Sequence, residues 1–235
     1  MLDREVVRLK VEGELACFTR PEAKVERVSY PVMTPSAARG VLEAICWKPE
    51  FSWHVRRILV LKPIQFVSIR RNEVQDTIPV GEVHKWMRDP ATFEPYLADS
   101  AGRYGPQGEN RTQRNTLALR DVAYVIEASV RLRNGGDATN LVKYRGMFER
   151  RAERGQCYHH PYLGIREYAA TFTAAGGAEE RVDDSRDLGL MLLDVEYAAT
   201  GNRPLFAPAK LEAGVLDVEA MREAARPIGK EEVAR

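Results

Sequence analysis

The sequence predicts an α+β fold in which an antiparallel sheet carries helices on one face. Residues 7–11 alternate between apolar and charged side chains, and residues 122–132 continue a similar alternation over a longer stretch, the period-2 pattern of half-buried strands. An amphipathic stretch of helical period follows each of them, the first after Thr34 and the second from about Asn140. Two extended pieces lie between the helices and a strand follows the second helix. This order predicts a ferredoxin-like βαββαβ domain.

The composition is that of a folded chain. Of its 235 residues, 35 are Lys or Arg, 34 are Asp or Glu, and 44% are hydrophobic, enough for a core. No apolar run approaches the ~18 residues of a membrane helix, and the first residues do not resemble a secretory signal. The three cysteines are far apart in the sequence, as expected of reduced thiols. We therefore expect a cytoplasmic protein with no membrane contact.

The first strand and the first helix are the clearest elements of the front half. Residues 7–11 supply the strand, and a polar stretch with two prolines separates it from the helix. Thr34 suits the N-cap and Pro35 suits the first helical position. Lys48-Pro49 is expected to end this helix, because proline disfavours helical geometry in the residue before it.

The middle of the chain divides into an extended part and an irregular part. Residues 55–69 predict two strands interrupted by Pro63, with Ile58, Val60, Ile64 and Phe66 as inward side chains. Residues 81–112 contain several prolines and glycines and show no sustained period. They predict a long irregular insertion, a kind of segment that is usually functional or mobile.

The second helix and a β-rich end complete the prediction. The helix is expected over about 140–154 and is ended by Gly155; its apolar stripe is Leu141, Tyr144, Phe148 and Ala152. Short strands are expected at 167–172, 188–197 and 215–218, before a tail that is a short charged helix or a frayed end. We therefore divide the chain into a ferredoxin-like domain, 1–172, and a small β-rich extension with a charged tail, 173–235.

The two parts differ in charge. Residues 173–235 hold 13 acidic and 8 basic side chains, so the excess of positive charge lies in residues 1–172. A basic front half favours contact with a polyanion, and a solvated charged surface is the alternative.

Several kinds of chemistry have no support in the sequence. No glycine-rich phosphate loop follows a strand, and no G-x-S-x-G nucleophile elbow is present. Residues 157–160, Cys-Tyr-His-His, resemble half of a zinc site, but a closed structural site needs a second pair of ligands at short spacing. We therefore expect neither a metal nor a cofactor.

The second helix carries a basic surface that is suited to RNA. Lys143, Tyr144 and Arg145 lie on its first turns, and Arg150 and Arg151 follow. Three tyrosines come soon after it and could stack on unpaired bases: Tyr158, Tyr162 and Tyr168. Arginines and aromatic rings beside a sheet are a usual way to hold single-stranded RNA. An amphipathic helix with a solvated basic face is the alternative.

Three blocks of the sequence, in the same order and with similar spacing, resemble the CRISPR-associated Cas5 family of type I-C systems. The first is Val-Ser-Tyr-Pro-Val-Met-Thr-Pro-Ser-Ala-Ala-Arg-Gly at 28–40, running on to Trp-Lys-Pro at 47–49. The second is Gln-Arg-Asn-Thr-Leu at 113–117 with Leu-Arg-Asp-Val-Ala-Tyr at 119–124. The third is Met-Phe-Glu-Arg-Arg at 147–151, continuing through Gly-Gln-Cys at 155–157 to Pro-Tyr-Leu-Gly at 161–164.

The resemblance implies a ferredoxin-like domain with a β-rich extension, in agreement with the pattern. It also implies an endoribonuclease that cleaves precursor CRISPR RNA at the repeat hairpin, without a metal, by using the 2′-hydroxyl of the RNA as nucleophile. Such a subunit then stays on the 5′ handle of the guide in the antiviral surveillance complex. Its implied partners are the guide RNA, the Cas7 backbone subunits, the large Cas8 subunit and, through the complex, target DNA.

The resemblance also implies which residues act. The family uses a Tyr just before Trp-Lys-Pro and an adjacent Lys-His pair on the basic helix. Here Cys46 stands at the Tyr position, Lys143 matches the Lys, and Tyr144 stands at the His position. We expect Lys143 to stabilise the charge on the phosphate and Tyr144 to replace the histidine.

Alternatives remain for two of these positions. Tyr144 can instead be a packing residue of the apolar stripe, with His159 or His160 moving the proton, and Cys46 is expected to be a small core residue. If cleavage has been lost, the chain would be a structural subunit that binds the 5′ handle. Six basic residues are expected to contact RNA: Arg39, Lys48, Arg114, Arg145, Arg150 and Arg151.

Overall fold

The computed structural model describes residues 6–23, 25–95, 110–133, 138–198 and 201–225. Part of the expected insertion, 96–109, and the tail from 226 onward lie outside the described residues. The elements are β1 (Val6–Ala16), β2 (Arg27–Val28), α1 (Pro35–Ile45), β3 (Phe51–Val60), β4 (Phe66–Val74), α2 (Val80–Arg88), a 3₁₀ turn (Pro90–Thr92), β5 (Arg111–Leu132), α3 (Ala138–Glu153), β6 (Thr171–Ala174), β7 (Arg186–Ala198), β8 (Gly201–Glu212), β9 (Val215–Asp217) and α4 (Val218–Ala224). The predicted α+β class is confirmed.

The strands form one curled sheet whose main path is antiparallel. Its order is β6-β1-β5-β3-β9-β8-β7, and β2 and β4 pair with β5 beside that path. The long strand β5 joins two regions, because its first half pairs with β4 and its second half lies between β1 and β3. Asp121, at the junction of the two halves, has a positive φ of 51°.

Helices α1 and α3 bury their apolar sides in the same core as the sheet. Thr34 caps α1 as predicted, since its Oγ1 accepts a hydrogen bond of 3.2 Å from the backbone N–H of Ala37, and Pro35 is the first helical residue. Ile45 of α1 and Phe148 of α3 are fully enclosed, together with Leu9 of β1. Burial of this continuous apolar surface is what fixes the two helices on the sheet.

Aromatic rings join the base of β3 to α3. The Phe51 ring lies 4.8 Å from the Tyr144 ring and 5.5 Å from the Trp53 ring, measured between centroids. Trp53 in turn meets Phe148 at 4.7 Å in an edge-on contact. Such pairs stabilise beyond the area they bury and orient the rings specifically. They fix the position of the first turns of α3, where the predicted catalytic residues lie.

Several sequence predictions need correction. Phe66 is exposed rather than inward, because it lies on the open face of β4, whereas Val67 and Ile69 on the opposite face pack against the core. The segment 81–112 is not irregular throughout, since Val80–Arg88 is a helix bounded by Pro79 and Pro90. The first helix ends at Ile45, before Lys48-Pro49.

The β-rich end also differs from the prediction. The strand expected at 167–172 lies later, at Thr171–Ala174, and Gly201–Glu212 is a strand that was not predicted. None of the helices in the described ranges is both long and apolar enough to span a bilayer.

Candidate active site

The predicted catalytic pair lies on the first turns of α3, one residue facing solvent and the other facing the core. Lys143 is exposed, and its Nζ lies 5.5 Å from the centre of the Tyr144 ring. The Tyr144 side chain is only 6% exposed and packs against Phe51. The geometry thus presents an exposed ammonium group beside a phenol that is largely enclosed, and it supports packing as at least part of the role of Tyr144.

Cys46 lies at the C-terminal end of α1 and is fully buried. Burial raises the pKa of its thiol, and the nearby positive charges of Arg151 and Lys48 oppose that rise without cancelling it. The thiol is therefore protonated near neutral pH, and its burial agrees with the expected core role. Its backbone carbonyl accepts a hydrogen bond of 2.8 Å from the indole Nε1 of Trp53.

The end of α1 is the meeting point of α1, α3 and the loop 157–170. Arg151 donates from Nη1 to the carbonyl oxygen of Ile45 at 2.6 Å, and the backbone N–H groups of Tyr158 and His159 donate to the carbonyl of Ala44 at 2.9 and 3.0 Å. These donors satisfy carbonyl groups that a helix C-terminus leaves without intrahelical partners. Arg151 consequently has a structural contact as well as a positive charge.

The structure brings together four of the six predicted RNA-binding residues. Arg145, Arg150 and Arg151 share α3 with Lys143, and Lys48 follows the end of α1. Arg150 and Lys48 are exposed, whereas the guanidinium of Arg145 forms an ion pair with Glu149 at 3.5 Å.

The other two lie elsewhere. Arg39, on the middle of α1, is held between Glu43 at 3.0 Å and Asp194 of β7 at 2.8 Å. Arg114 lies in the first half of β5, opposite Arg71 of β4. These contacts could not be predicted from the spacing of residues or from the matched blocks. Asp194, which pairs with Arg39, and Arg71, which lies opposite Arg114, are each on a strand far away in the sequence.

A groove that the sequence did not predict runs between α1 and the loop 157–170. Its volume is about 780 Å³, and its lining includes Trp47, Tyr158, His159, His160, Tyr162 and Arg166. From the sequence, the tyrosines were predicted to stack on bases and the histidines to transfer a proton, as two separate features. Trp47 joins them only through the fold, since it lies more than a hundred residues earlier in the chain.

Within the described ranges, no three His, Cys, Asp or Glu side chains are grouped in a way that could hold a metal ion. His159 and His160 both line the groove. Among the described residues, no third Cys, His, Asp or Glu lies close enough to complete a metal site with them.

Residues 6–219 match the sequence family described as CRISPR-associated protein (Cas_Cas5), in its Cas5d form. This match spans most of the chain and includes all three blocks of the resemblance. The chain belongs to the Cas5 family, type I-C. The resemblance proposed from the sequence is thereby confirmed.

Two Cas5 relatives are similar over most of their length. A protein of Mannheimia succiniciproducens named CRISPR pre-crRNA endoribonuclease Cas5d is 43% identical over 220 residues, 90% of this chain and 94% of the relative. A protein of Thermus thermophilus with the same name is 45% identical over 199 residues, 84% of this chain and 76% of the relative.

A similar fold is seen in a solved structure. One described as that of a CRISPR-associated protein matches 93% of this chain and 94% of its own, with a TM-score of 0.63 and 21% identity. At that identity the similarity supports a shared fold.

Proposed function

We propose that this chain is an endoribonuclease that cleaves precursor CRISPR RNA at the repeat hairpin and then stays bound to the 5′ handle of the guide. The observation that carries the proposal is the 43–45% identity, over most of the chain, to two proteins named pre-crRNA endoribonucleases. The exposed Lys143 on the arginine-bearing helix α3 supports it. The reaction needs no metal in this proposal.

The proposed chemistry is an internal transfer on the RNA. The 2′-oxygen attacks the adjacent phosphorus, its proton passes to a base, and the bond from phosphorus to the 5′-oxygen breaks as that oxygen receives a proton. A cation must stabilise the negative charge that grows on the phosphate oxygens, and acid–base groups must move the protons. Lys143 is free to approach the phosphate because its ammonium faces solvent.

We assign proton transfer to the Tyr144 hydroxyl, with His159 or His160 as the second candidate. The contact of Tyr144 with Phe51 holds the ring in one place, which favours a defined hydroxyl position. The histidines are exposed and lie in the groove next to the end of α1. Substitution of Tyr144 by Phe separates these candidates, because it removes the hydroxyl and keeps the ring that packs.

A non-cleaving subunit that binds the 5′ handle is the second candidate function. The burial of Cys46 favours it, because a buried protonated thiol cannot take the place of an accessible phenol. The burial of Tyr144 points the same way. Under this candidate the basic residues still bind RNA.

We also propose a ferredoxin-like arrangement for residues 1–172 and a β-rich extension for 173–235. The sheet order β6-β1-β5-β3, with α1 between β1 and β3 in the chain and α3 between β5 and β6, supports the first. The consecutive neighbours β9, β8 and β7 support the second.

The proposed partners follow from this role. They are the guide RNA, the Cas7 backbone subunits, the large Cas8 subunit and, through the assembled complex, target DNA, all in the cytoplasm. For RNA contact we retain Lys48, Arg114, Arg145 and Arg150. Arg39 and Arg151 have partners that indicate a mainly structural role.

The test is a cleavage assay in EDTA with a labelled repeat hairpin from the protein's own array. We expect one cut at the hairpin, slowed by about 100-fold or more in Lys143→Ala and in Tyr144→Phe. Lys210→Ala, which removes an exposed lysine on β8, is the matched control and should cut at the wild-type rate.

Each other outcome selects one alternative. Normal cleavage by Tyr144→Phe would transfer the proton role to the histidines, which His159→Ala and His160→Ala would then separate. Tight binding of the hairpin by wild type without any cut would establish the handle-binding subunit.

A further inference from the structure

We propose that the groove between α1 and the loop 157–170 is a binding site for unpaired RNA nucleotides, whose bases stack on Tyr158, Trp47 and Tyr162. This inference rests on the proposed function in that it takes RNA as the ligand. It adds a subsite that is distinct from Lys143 and from the arginines of α3.

Three large aromatic side chains line this one groove and remain open to solvent. Tyr158 is 77% exposed, Trp47 49% and Tyr162 42%. Single exposed apolar residues are ordinary, but several gathered in one depression mark a binding surface. Aromatic rings bind unpaired bases by stacking, which tolerates any base because every base has a π-face.

The loop that carries two of these rings is fixed to the body of the protein. Its start is held by the two hydrogen bonds from Tyr158 and His159 to the Ala44 carbonyl, and its middle by a bond of 3.0 Å from the Cys17 N–H to the carbonyl of Leu163. The Tyr158 ring also makes an edge-on contact with the His159 ring, at 4.4 Å between centroids. Rings held in this way lose little freedom when a ligand binds, which favours affinity.

The charge of the groove fits a nucleic acid better than an apolar protein segment. Arg166, His159 and His160 line it, and Lys48 follows Trp47 in the chain. The acidic side chain in the lining, Glu43, is partly compensated by its ion pair with Arg39 at 3.0 Å, a charge that Arg39 shares with Asp194. The positive charges of Arg166 and Lys48 beside stacking rings suit single-stranded RNA, since the charges meet its phosphates and the rings meet its bases.

The size and position of the groove also suit a nucleotide chain. Its 780 Å³ adjoins a second depression of 380 Å³ along α1, and both are lined by Gly40, Glu43, Ala44 and Tyr162. The turn 46–50 borders the groove at Trp47, and Phe51, which follows the turn, contacts Tyr144.

The test is fluorescence anisotropy with labelled oligouridylate, an RNA that forms no hairpin, and the full-length chain. We expect Tyr158→Ala and Trp47→Ala each to raise Kd by about 5- to 150-fold, the effect of losing one stacked base. Tyr158→Phe is the matched control, because it keeps the ring, and should bind like wild type. The high exposure of Tyr158 means that its truncation leaves the fold intact, which a thermal melt verifies.

Hairpin cleavage, measured on the same samples, distinguishes failure of the groove proposal from failure of the proposed function. If wild type cuts the hairpin while Tyr158→Ala and Trp47→Ala bind oligouridylate as wild type does, the groove proposal is overturned and the proposed function stands. The groove proposal is likewise overturned if wild type does not bind oligouridylate, or if the variants lose only assembly with the other subunits, which would make the groove a protein interface. If wild type neither cuts nor binds the hairpin, the proposed function fails, and the oligouridylate result still decides on the groove.

Discussion

Gly164 shows how one residue determines the shape of the loop 157–170. Its φ is +88°, and a Cβ atom there would collide with the carbonyl oxygen of Cys17. Only glycine fits such a close approach at a positive φ without strain. The loop reaches β1 at this point, and the groove beside α1 depends on that contact.

We predict that Gly164→Ala lowers the free energy of unfolding by about 2 kcal/mol or more, from strain and the collision together. Gly146→Ala is the control: the position lies in α3 and has open space around an added Cβ, so alanine should stabilise the helix by up to about 1 kcal/mol. Urea unfolding of both variants checks this pair. Equal stability of the two variants would contradict the close approach of Gly164 to the Cys17 carbonyl.

His54 gives the fold a dependence on pH. Its Nε2 lies 2.8 Å from Nη2 of Arg131 and 3.3 Å from Oε1 of Glu219. Arginine can only donate, so the shorter contact makes Nε2 an acceptor and the imidazole neutral. Burial lowers the pKa of His54, and the charges of Arg131 and Arg222 lower it further against the opposing effect of Glu219. Protonation in the folded state is therefore unfavourable.

The sign of the effect follows from linkage. The unfolded histidine takes up a proton near pH ~6.5, whereas the folded one does so only at lower pH, so acid stabilises the unfolded state and stability falls below pH ~6.5. We predict that His54→Gln loses less stability than wild type between about pH 7.5 and about pH 5.5 in urea unfolding. His160→Gln, at an exposed position, should keep the wild-type dependence. Identical pH profiles for His54→Gln and wild type would remove His54 as the cause.

At the two altered family positions, the sequence could predict packing but not accessibility. The helical period placed Tyr144 on the apolar stripe with Phe148, and the burial of both side chains confirms that placement. How much of the phenol a substrate can reach depends on Phe51, which comes from another element. One of the two partners of Arg39 is equally non-local, since Asp194 lies on β7, whereas Glu43 is one turn away on α1.

At the scale of elements, local periodicity predicted those that pack on the core. β1, α1 and α3 each bury one side, so each carries its own period in the sequence, whereas β5 is buried on both faces over residues 122–128. α2 buries no residue, and Pro90, one of the prolines that suggested irregular structure, lies just beyond its end.

The strand β8, which was not predicted, contains Pro204 and Pro208, and proline is unfavourable inside a strand that is paired on both sides. Its pairing explains them: β9 pairs with Leu211 and Glu212, and no second strand among the described residues pairs with the earlier part of β8. A proline costs no ladder hydrogen bond where its nitrogen faces an unpaired side. Such an edge position follows from the arrangement of the sheet and could not be read from the strand itself.

The contact between α1 and α3 provides a test in which two neighbouring arginines have different roles. Arg151 donates to the Ile45 carbonyl, whereas Arg150 is exposed. We predict that Arg151→Ala lowers the free energy of unfolding by about 1–3 kcal/mol, the usual effect of losing a charged hydrogen bond to a buried carbonyl. Arg150→Ala should leave stability unchanged within about 0.5 kcal/mol and weaken RNA binding. Urea unfolding and anisotropy on the same two proteins check this division, and the reverse pattern would contradict it.

At the scale of the whole molecule, one acidic residue of the extension links it to the front half. Asp194 of β7 forms an ion pair with Arg39 of α1, and Arg222 of α4 lies near the same carboxylate. Burial lowers the pKa of the Arg222 guanidinium, and Asp194 opposes that shift, which is the balance expected when a buried charge is partly compensated. Here, one negative charge of residues 173–235 forms an ion pair within the chain and is not available to a partner.

The basic front half leads to a prediction about salt. RNA that contacts lysines and arginines releases bound counterions, so affinity should fall as salt rises, with a slope of about −0.7 per neutralised phosphate on single-stranded RNA in a plot of log affinity against log salt concentration. Lys143→Ala and Arg150→Ala should each reduce the steepness of that slope by about 0.7. Arg39→Ala should leave the slope unchanged, because Glu43 and Asp194 already neutralise its charge. Titrations of the repeat hairpin at several salt concentrations measure all three slopes. A slope near zero for wild type would remove the basic surface of α3 from RNA binding, and a reduced slope for Arg39→Ala would show that RNA displaces its carboxylate partners.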